Sequence, residues 1–324
     1  MTELSSLLLG DSLVMQRLRS LIEAVAPTHV SVLIEGATGT GKELVAESLH
    51  RLSRRNGTLV PFNVCALADS MFEDALFGHA RGAFTGAIGE TLGFLREANG
   101  GTAFFDEISG LAVGSQAKLL RAIETGVFRP IGSARDARSD FRTVAATNER
   151  LEQLVASGRF RADLAHRLSG IIISVPALAE RLEDVPLLVA HFLRRSRPAS
   201  PLLVTPEAMR LLQDQPWTGN VRELKQVVDA SAIFARGGLD ADAVAMVLGQ
   251  RARSREDRVG ERRLSEHQQL LKLLASVAWD TEIAADRLGV HRTTIYRRMR
   301  RLGIPVPTET GVMPARDGFE LAYG

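Results

Sequence analysis

Five apolar runs, at residues 30–34, 59–64, 102–105, 142–146 and 171–175, recur through the first half of the chain, and the segments between them read as helical. Runs that are largely apolar, rather than alternating, predict strands buried on both faces. Interleaved with helices, they predict an α/β fold with a parallel sheet covered by helices. Pro176 and Pro186 punctuate a change to helices only, which continues to about residue 245. The stretch from Gln250 to Gly260 is charged, has Val259 as its only large apolar residue, and reads as a linker. Beyond it, Leu270, Leu271, Leu273 and Leu274 predict one helix, 281–288 a second and 291–302 a third, with Gly289-Val290 as the turn between the last two. Ala284, Ala285 and Leu288 then face inward with Ile295 and Met299, the pattern of a helix-turn-helix. The expected divisions are an α/β subdomain at 1–172, an all-α subdomain at 173–247, a linker at 248–262, the helix-turn-helix at 263–306 and a flexible tail at 307–324.

Chemistry concentrates where these elements end. Gly36-Ala37-Thr38-Gly39-Thr40-Gly41-Lys42-Glu43 follows the first strand and runs into the helical pattern of Leu44, Val45 and Leu49. A strand, a glycine-rich turn and a helix fit a phosphate-binding P-loop: backbone N–H groups turn inward, Lys42 reaches the outer phosphates, and the helix N-terminus faces them. Position 43 is Glu where the general motif has a magnesium-binding Ser or Thr, which leaves Thr40 or a water molecule to fill that place. The run at 102–105 ends in Asp106-Glu107, where Asp106 can hold magnesium and Glu107 can polarise a water. The strand from Arg142 to Ala146 ends at Thr147-Asn148, and Asn148 either orients that water or starts a turn.

Between the P-loop and the acidic pair lies Gly82-Ala83-Phe84-Thr85-Gly86-Ala87. Its glycines and small residues suit a surface finger with Phe84 and Thr85 at the tip, or a tight turn around a buried Phe. In the last helix, His291, Arg292, Thr293 and Thr294 stand at the start, where recognition helices meet base edges. Tyr296, Arg297, Arg298 and Arg301 continue the DNA-facing set, with Arg300 adding to the local basic charge.

With these motifs in view, the chain resembles the bacterial enhancer-binding proteins, AAA+ ATPases that activate sigma-54 RNA polymerase, over roughly residues 6–305. The unbroken 82–87 motif carries most of the resemblance. It implies that Gly82, Ala83, Phe84, Thr85, Gly86 and Ala87 contact sigma-54, with Phe77-Gly78-His79 as the lead-in. It also implies that Asn63, in Phe62-Asn63-Val64-Cys65, restrains the catalytic Glu107, and that Arg161 and Arg167, within residues 158–168, reach a neighbouring subunit's nucleotide site. Which of the two acts as the finger stays open. Pro216-Trp217-Thr218-Gly219-Asn220-Val221-Arg222-Glu223-Leu224 resembles the family motif whose Arg, here Arg222, senses nucleotide from the lid. Thr218 departs from the family's Pro, and Ala179 stands where the family tends to have Arg. The final segment resembles the Fis-type DNA-binding domain. The implied cofactors are ATP and Mg2+. The implied partners are sigma-54 RNA polymerase holoenzyme, double-stranded enhancer DNA and further copies of the chain, as a hexameric ring from a resting dimer. The implied function is ATP-driven remodelling of closed complexes into open ones. The alternatives are a nucleotide-switched DNA-binding regulator and a general AAA+ remodeller that does not act on sigma-54.

Composition constrains this reading without changing it. A chain of 324 residues, 45% of them hydrophobic, can bury several cores. A single cysteine excludes a disulfide framework and suits a reducing cytoplasm, with Cys65 expected as a core thiol. No run is long enough for a membrane span, and no basic segment precedes an apolar core at the N-terminus, so neither membrane insertion nor secretion is expected. The net charge of +2 hides the basic concentration in the last helix. With the P-loop starting at Gly36, a preceding regulatory domain of the usual ~100 residues has no room, so control is expected from expression level or from a protein acting in trans.

Overall fold

Val32, Leu33 and Ile34 have no accessible surface because strand β1 (Val32–Glu35) runs through the interior of a five-stranded sheet. The computed structural model describes residues 3–66, 69–196, 203–235 and 237–306. The remaining strands are β2 (Leu59–Asn63), β3 (Thr102–Asp106), β4 (Arg142–Thr147) and β5 (Ile171–Ser174), all parallel, in the order β2-β3-β4-β1-β5. The five expected strands are all present. Both faces are covered, so successive residues enter different cores. Leu33, Phe105 and Ala145 join one cluster, whereas Val32, Ile34, Phe104, Val144 and Ala146 join the other. Met15, Leu18, Ile22, Val45 and Leu49, from the helices Leu13–Val25 and Lys42–Leu52, complete the second cluster. Leu119, Leu164 and Leu168, from the helices Val113–Thr125 and Ala162–Leu168, complete the first.

Register aligns the carboxyl ends of the strands. Glu35 stands beside Thr147 on one side and Ser174 on the other, and Asn63 stands beside Asp106. In a parallel sheet this edge is where a ligand crevice opens. The expected boundary at 172/173 falls inside β5, whose pairing with β1 runs to Ser174, so the sheet's last strand ends two residues later.

Past the sheet, the helix Val185–Ser196 packs with Asn220–Phe234, and Pro206–Gln213 joins them. The chain divides into two units, Met1–Ala245 and Met246–Gly324. The expected linker at 248–262 is a correction, because the backbone is helical from Ala241 to Ser276. The reason lies in composition: Arg, Glu and Gln are good helix formers, and this stretch has no proline and only two glycines, Gly249 and Gly260.

In the second unit, Leu270, Leu274, Val277, Ala284, Ala285, Ile295, Met299 and Leu302 form one core beneath the helices Thr281–Arg287 and Arg292–Leu302. Leu288, expected inside, is exposed. The helix ends at Arg287, and Val290 packs against the core instead. The tail at 307–324 lies outside the described residues. Among the described residues no helix is long and apolar enough to cross a membrane.

The largest fully buried side chain is charged. Arg142, at the start of β4, donates to the carbonyls of Ala26 (2.6 Å) and Val25 (3.0 Å), and thereby caps the end of the helix Leu13–Val25 against the sheet. Burial pushes its pKa down, so these charge-assisted bonds are what hold the cation in the interior. Replacing it by Ala leaves the carbonyls unpaired and a void behind. Arg142→Ala is expected to cost roughly 3 kcal/mol, read as a lower urea midpoint for loss of helical ellipticity.

Candidate functional site

The P-loop joins β1 to the helix Lys42–Leu52 with Gly39 and Gly41 both at positive φ. A side chain at Gly39 would place its Cβ 2.4 Å from the Gly219 carbonyl oxygen, so glycine is required there by close approach as well as by dihedral. Lys42 Nζ donates to the carbonyls of Gly36 (2.7 Å) and Ala37 (3.3 Å), which draws the ammonium back over the loop. The Thr40 hydroxyl donates to Ala37 O at 2.8 Å and the residue is buried, so this hydroxyl is used within the loop. Glu43 is exposed at the helix start.

Three further contacts fasten the loop from outside. Asn220 Nδ2 donates to Thr38 O (3.0 Å), the Arg222 backbone N–H to Gly39 O (3.2 Å), and Arg181 Nη2 to Thr40 O (3.3 Å). Asn220 sits at φ 53° and also accepts from the Leu178 N–H. The sequence placed Asn220 in a motif without giving it this role. Its signal was an Asn directly after Gly219 at a helix start, where a left-handed residue with a hydrogen-bonding side chain fits.

A cavity of about 520 Å³ opens over the loop. Its polar end is lined by Lys42, Asp106, Glu107 and Arg222, and its apolar end by Met15, Leu18, Val175, Leu188 and Phe192. The structure therefore brings Thr38, Gly39, Thr40, Gly41, Lys42, Glu43, Asp106, Glu107 and Arg222 together; Gly36 and Ala37 line an adjoining cleft with Asn148. Burial raises the Asp106 carboxyl above its ordinary value, against a bond from the Glu107 N–H (3.0 Å), and burial likewise lowers the Lys42 ammonium despite the nearby acids. Glu107 has φ 55° at the end of β3, a left-handed turn that ends the strand.

Asn63 accepts from the Cys65 N–H at 2.9 Å, so its side chain shapes the turn after β2. Cys65, expected as a core thiol, is exposed. The short turn Val64–Ala66 buries Val64 and leaves the sulfur outside, 3.8 Å from the Glu107 carbonyl. Asn148 is exposed, with Ser109 Oγ 3.5 Å from its Oδ1.

Arg161 and Arg167 lie outside the cavity of their own chain and are exposed. Arg161 is chelated by Asp163, Nε to Oδ1 at 3.1 Å and Nη2 to Oδ2 at 2.7 Å, and Arg167 Nη2 approaches Ile123 O at 3.4 Å. Buried Gln116 anchors this segment. It accepts from the Arg161 N–H and donates to the carbonyls of Leu111 and Arg159, a role no spacing in the sequence signals.

The 82–87 loop closes on itself through Gly82 N–H to Ala87 O (2.9 Å) and Ala87 N–H to Phe84 O (3.0 Å). Phe84 is 48% exposed and Thr85 is exposed, so the finger reading holds over the buried turn. The base is rigid: His79, bonded to Asp74 at 2.6 Å, meets the Phe84 ring edge-on at 5.0 Å, and Ala83 sits against Gly132.

Residues 8–174 match the Sigma-54 interaction domain, 179–261 the AAA+ ATPase lid domain and 261–302 the bacterial regulatory protein, Fis family. The chain belongs to the sigma-54 interaction-domain family of AAA+ ATPases. It is 47% identical over 237 residues to the anaerobic nitric oxide reductase transcription regulator NorR of Aliivibrio fischeri, covering 72% of this chain and 46% of that protein. It is 38% identical to the transcriptional regulatory protein ZraR of Salmonella typhimurium, covering 91% and 68%. The chain thus spans about half the length of the NorR relatives. NtrX from Brucella abortus, solved in complex with ATP, superposes with a TM-score of 0.67 at 33% identity, covering 94% of this chain and 70% of that one.

In the Fis-family segment, the expected DNA-facing residues share the exposed side of the last helix. Thr294, Arg297, Arg298, Arg300 and Arg301 line a groove of about 450 Å³. His291 caps the helix by accepting from the Thr293 N–H. Arg292 is held by Glu282 (2.9 Å), Thr281 (3.2 Å) and the Tyr296 hydroxyl (2.8 Å), and Arg301 by Glu266 (2.6 Å).

A raised carboxyl pKa contributes stability below the unfolded value of about 3.9, and that contribution is lost as pH rises through the folded value. Ionised Asp106 is therefore a liability to the nucleotide-free fold at neutral pH. Asp106→Asn is expected to raise the melting temperature at pH 7, with an advantage that shrinks as pH falls toward about 4, while hydrolysis is lost. Melting scans across pH and a phosphate-release assay on the same preparation check both.

Proposed function

We propose that the protein is a sigma-54-dependent transcriptional activator. Its nucleotide site would drive the 82–87 loop against sigma-54 RNA polymerase while the second unit holds upstream double-stranded DNA. The observation that carries this is the exposed Phe84-Thr85 tip on a loop closed at Gly82 and Ala87 and braced by His79 and Gly132. An exposed aromatic on a rigid base suits a small contact surface, where one ring supplies most of the burial.

The donor set fits ATP with Mg2+. Inward N–H groups, Lys42 and Arg222 suit a polyphosphate, the apolar end suits a base, and Asp106 is the carboxylate placed to hold the metal, directly or through water. ATP supplies the phosphoanhydride whose cleavage releases work. Glu107 accepts a proton from the attacking water, Asn148 orients that water, and Asn63 restrains Glu107 from the neighbouring strand. Thr40 donates its hydroxyl proton to Ala37 O and keeps its oxygen lone pairs, so Thr40 or a water molecule takes the place left by Glu43. Arg161 and Arg167, exposed outside their own cavity, support a ring in which one of them completes a neighbour's site, and a hexamer is the assembly we favour. In the second unit, Thr293, Thr294, Arg297 and Arg298 meet bases and phosphates, with Arg292 and Tyr296 braced beside them.

Thr85→Ala is expected to keep the melting temperature and most ATP turnover while abolishing open-complex formation at a sigma-54 promoter. Parallel loss of all three would make the loop a structural turn. For the ring, Arg161→Ala and Arg167→Ala subunits mixed with Glu107→Gln subunits are expected to regain turnover in at least one pairing, because the latter supply an arginine to an intact neighbouring acid. No recovery in either mixture, with turnover independent of protein concentration, would refute the shared site.

A further inference from the structure

Arg181 is 3% exposed, yet no carboxylate lies within ion-pair distance of it among the described residues. A guanidinium carries five N–H donors. Here Nη1 meets the Met15 sulfur at 2.8 Å, Nη2 donates to Thr40 O at 3.3 Å, and Nε is buried without a partner. Thioether sulfur is a weak acceptor and 3.3 Å is long for a charge-assisted bond. Asp184 and Glu180 are close enough to favour the charge but neither bonds it, and Asp184 is occupied elsewhere: it accepts from the Asp11 and Ser12 N–H groups and from the Ser12 hydroxyl. A buried cation with no directly bonded anion is poorly satisfied until a ligand completes it. Arg181 lines the cavity with Lys42 and Arg222 and touches the P-loop itself.

We propose that Arg181 is an anion-binding residue of this site, exchanging the Met15 sulfur for a phosphate oxygen when nucleotide enters. The assignment rests on the ATP-binding reading and adds a third cation from the chain's own cavity to Lys42 and Arg222. Burial lowers the Arg181 pKa, against partial support from nearby Asp184 and Glu180. The exchange needs only rotation of a long side chain whose present partners are weak, and it keeps the guanidinium beside Thr40, so ligand occupancy and loop position are read by one group.

The sign of two measurements on the full chain separates this role from a structural one. With Arg181→Met, the melting temperature of the nucleotide-free protein is expected to hold or rise, because an unpaired buried charge is replaced by an apolar chain of similar length. The Kd values for ADP and for inorganic tripolyphosphate are both expected to rise at least tenfold by titration calorimetry. Arg181→Lys should recover part of that loss. A fall in melting temperature with unchanged Kd makes Arg181 a structural pin and overturns the proposal. So does weaker ADP binding with unaltered tripolyphosphate binding, which would locate the effect at the base end. Lys42→Ala is the reference for lost phosphate binding. A parent protein binding neither ligand would sink the nucleotide reading and this assignment together; a parent that binds, beside an Arg181→Met variant within twofold of it, overturns this assignment alone.

Discussion

Three consecutive carbonyls of the P-loop, those of Thr38, Gly39 and Thr40, each accept a hydrogen bond from the helical subdomain. In a trans peptide the C=O and the following N–H point in opposite directions. Holding the Thr38 and Thr40 carbonyls outward therefore turns the N–H groups of Gly39 and Gly41 the other way, as phosphate binding requires. The loop's shape is thus a property of two subdomains together. Asn220 is the hub of this arrangement, because its amide bonds Thr38 O with one end and the Leu178 N–H with the other. Gly39 and Gly219 approach so closely that a methyl group on Gly39 would strike a backbone oxygen.

That geometry is held against an electrostatic cost. Burial disfavours the charged forms of Lys42, Asp106 and Arg181 alike. A site designed for stability would pair or remove such groups, as Arg142 is satisfied by helix carbonyls on the far side of the sheet. The two doubly covered cores supply the stability that lets the cavity keep uncompensated charge.

Much of the fold was legible because the central strands β1, β3 and β4 are buried on both faces and leave largely apolar runs in the sequence. Ligand-binding turns were legible because glycine at positive φ and a lysine at a helix start mark themselves. The misses have local causes. Cys65 lies within the three-residue turn Val64–Ala66 that follows β2, so the turn's local geometry decides whether its sulfur faces in or out. Leu288 lies just past a helix end, where the face that periodicity predicts no longer applies. The helix through 248–262 is carried by propensity without an apolar stripe, which a pattern-based reading treats as a break. Arg181, Asn220 and Gln116 act through partners tens of residues away, and no spacing along the chain reveals such contacts.

The helix Val113–Thr125 gives the remaining parts a common support. Gln116, near its start, fixes the Arg159–Arg161 backbone, and the Ile123 carbonyl near its end meets Arg167. The chain leaves this helix at Gly126 into Phe128, whose ring packs on Phe77 at 5.8 Å, and then reaches Ile131 and Gly132, which brace His79 and Ala83. The two arginines and the 82–87 loop therefore rest on opposite ends of one continuous stretch of chain. A displacement of the Arg161–Arg167 segment pushes on the helix through a buried, fully bonded glutamine, which yields less readily than a solvent-exposed contact. Under the proposed function, this packed and hydrogen-bonded stretch is the route by which a change at the Arg161–Arg167 segment would reach the 82–87 loop.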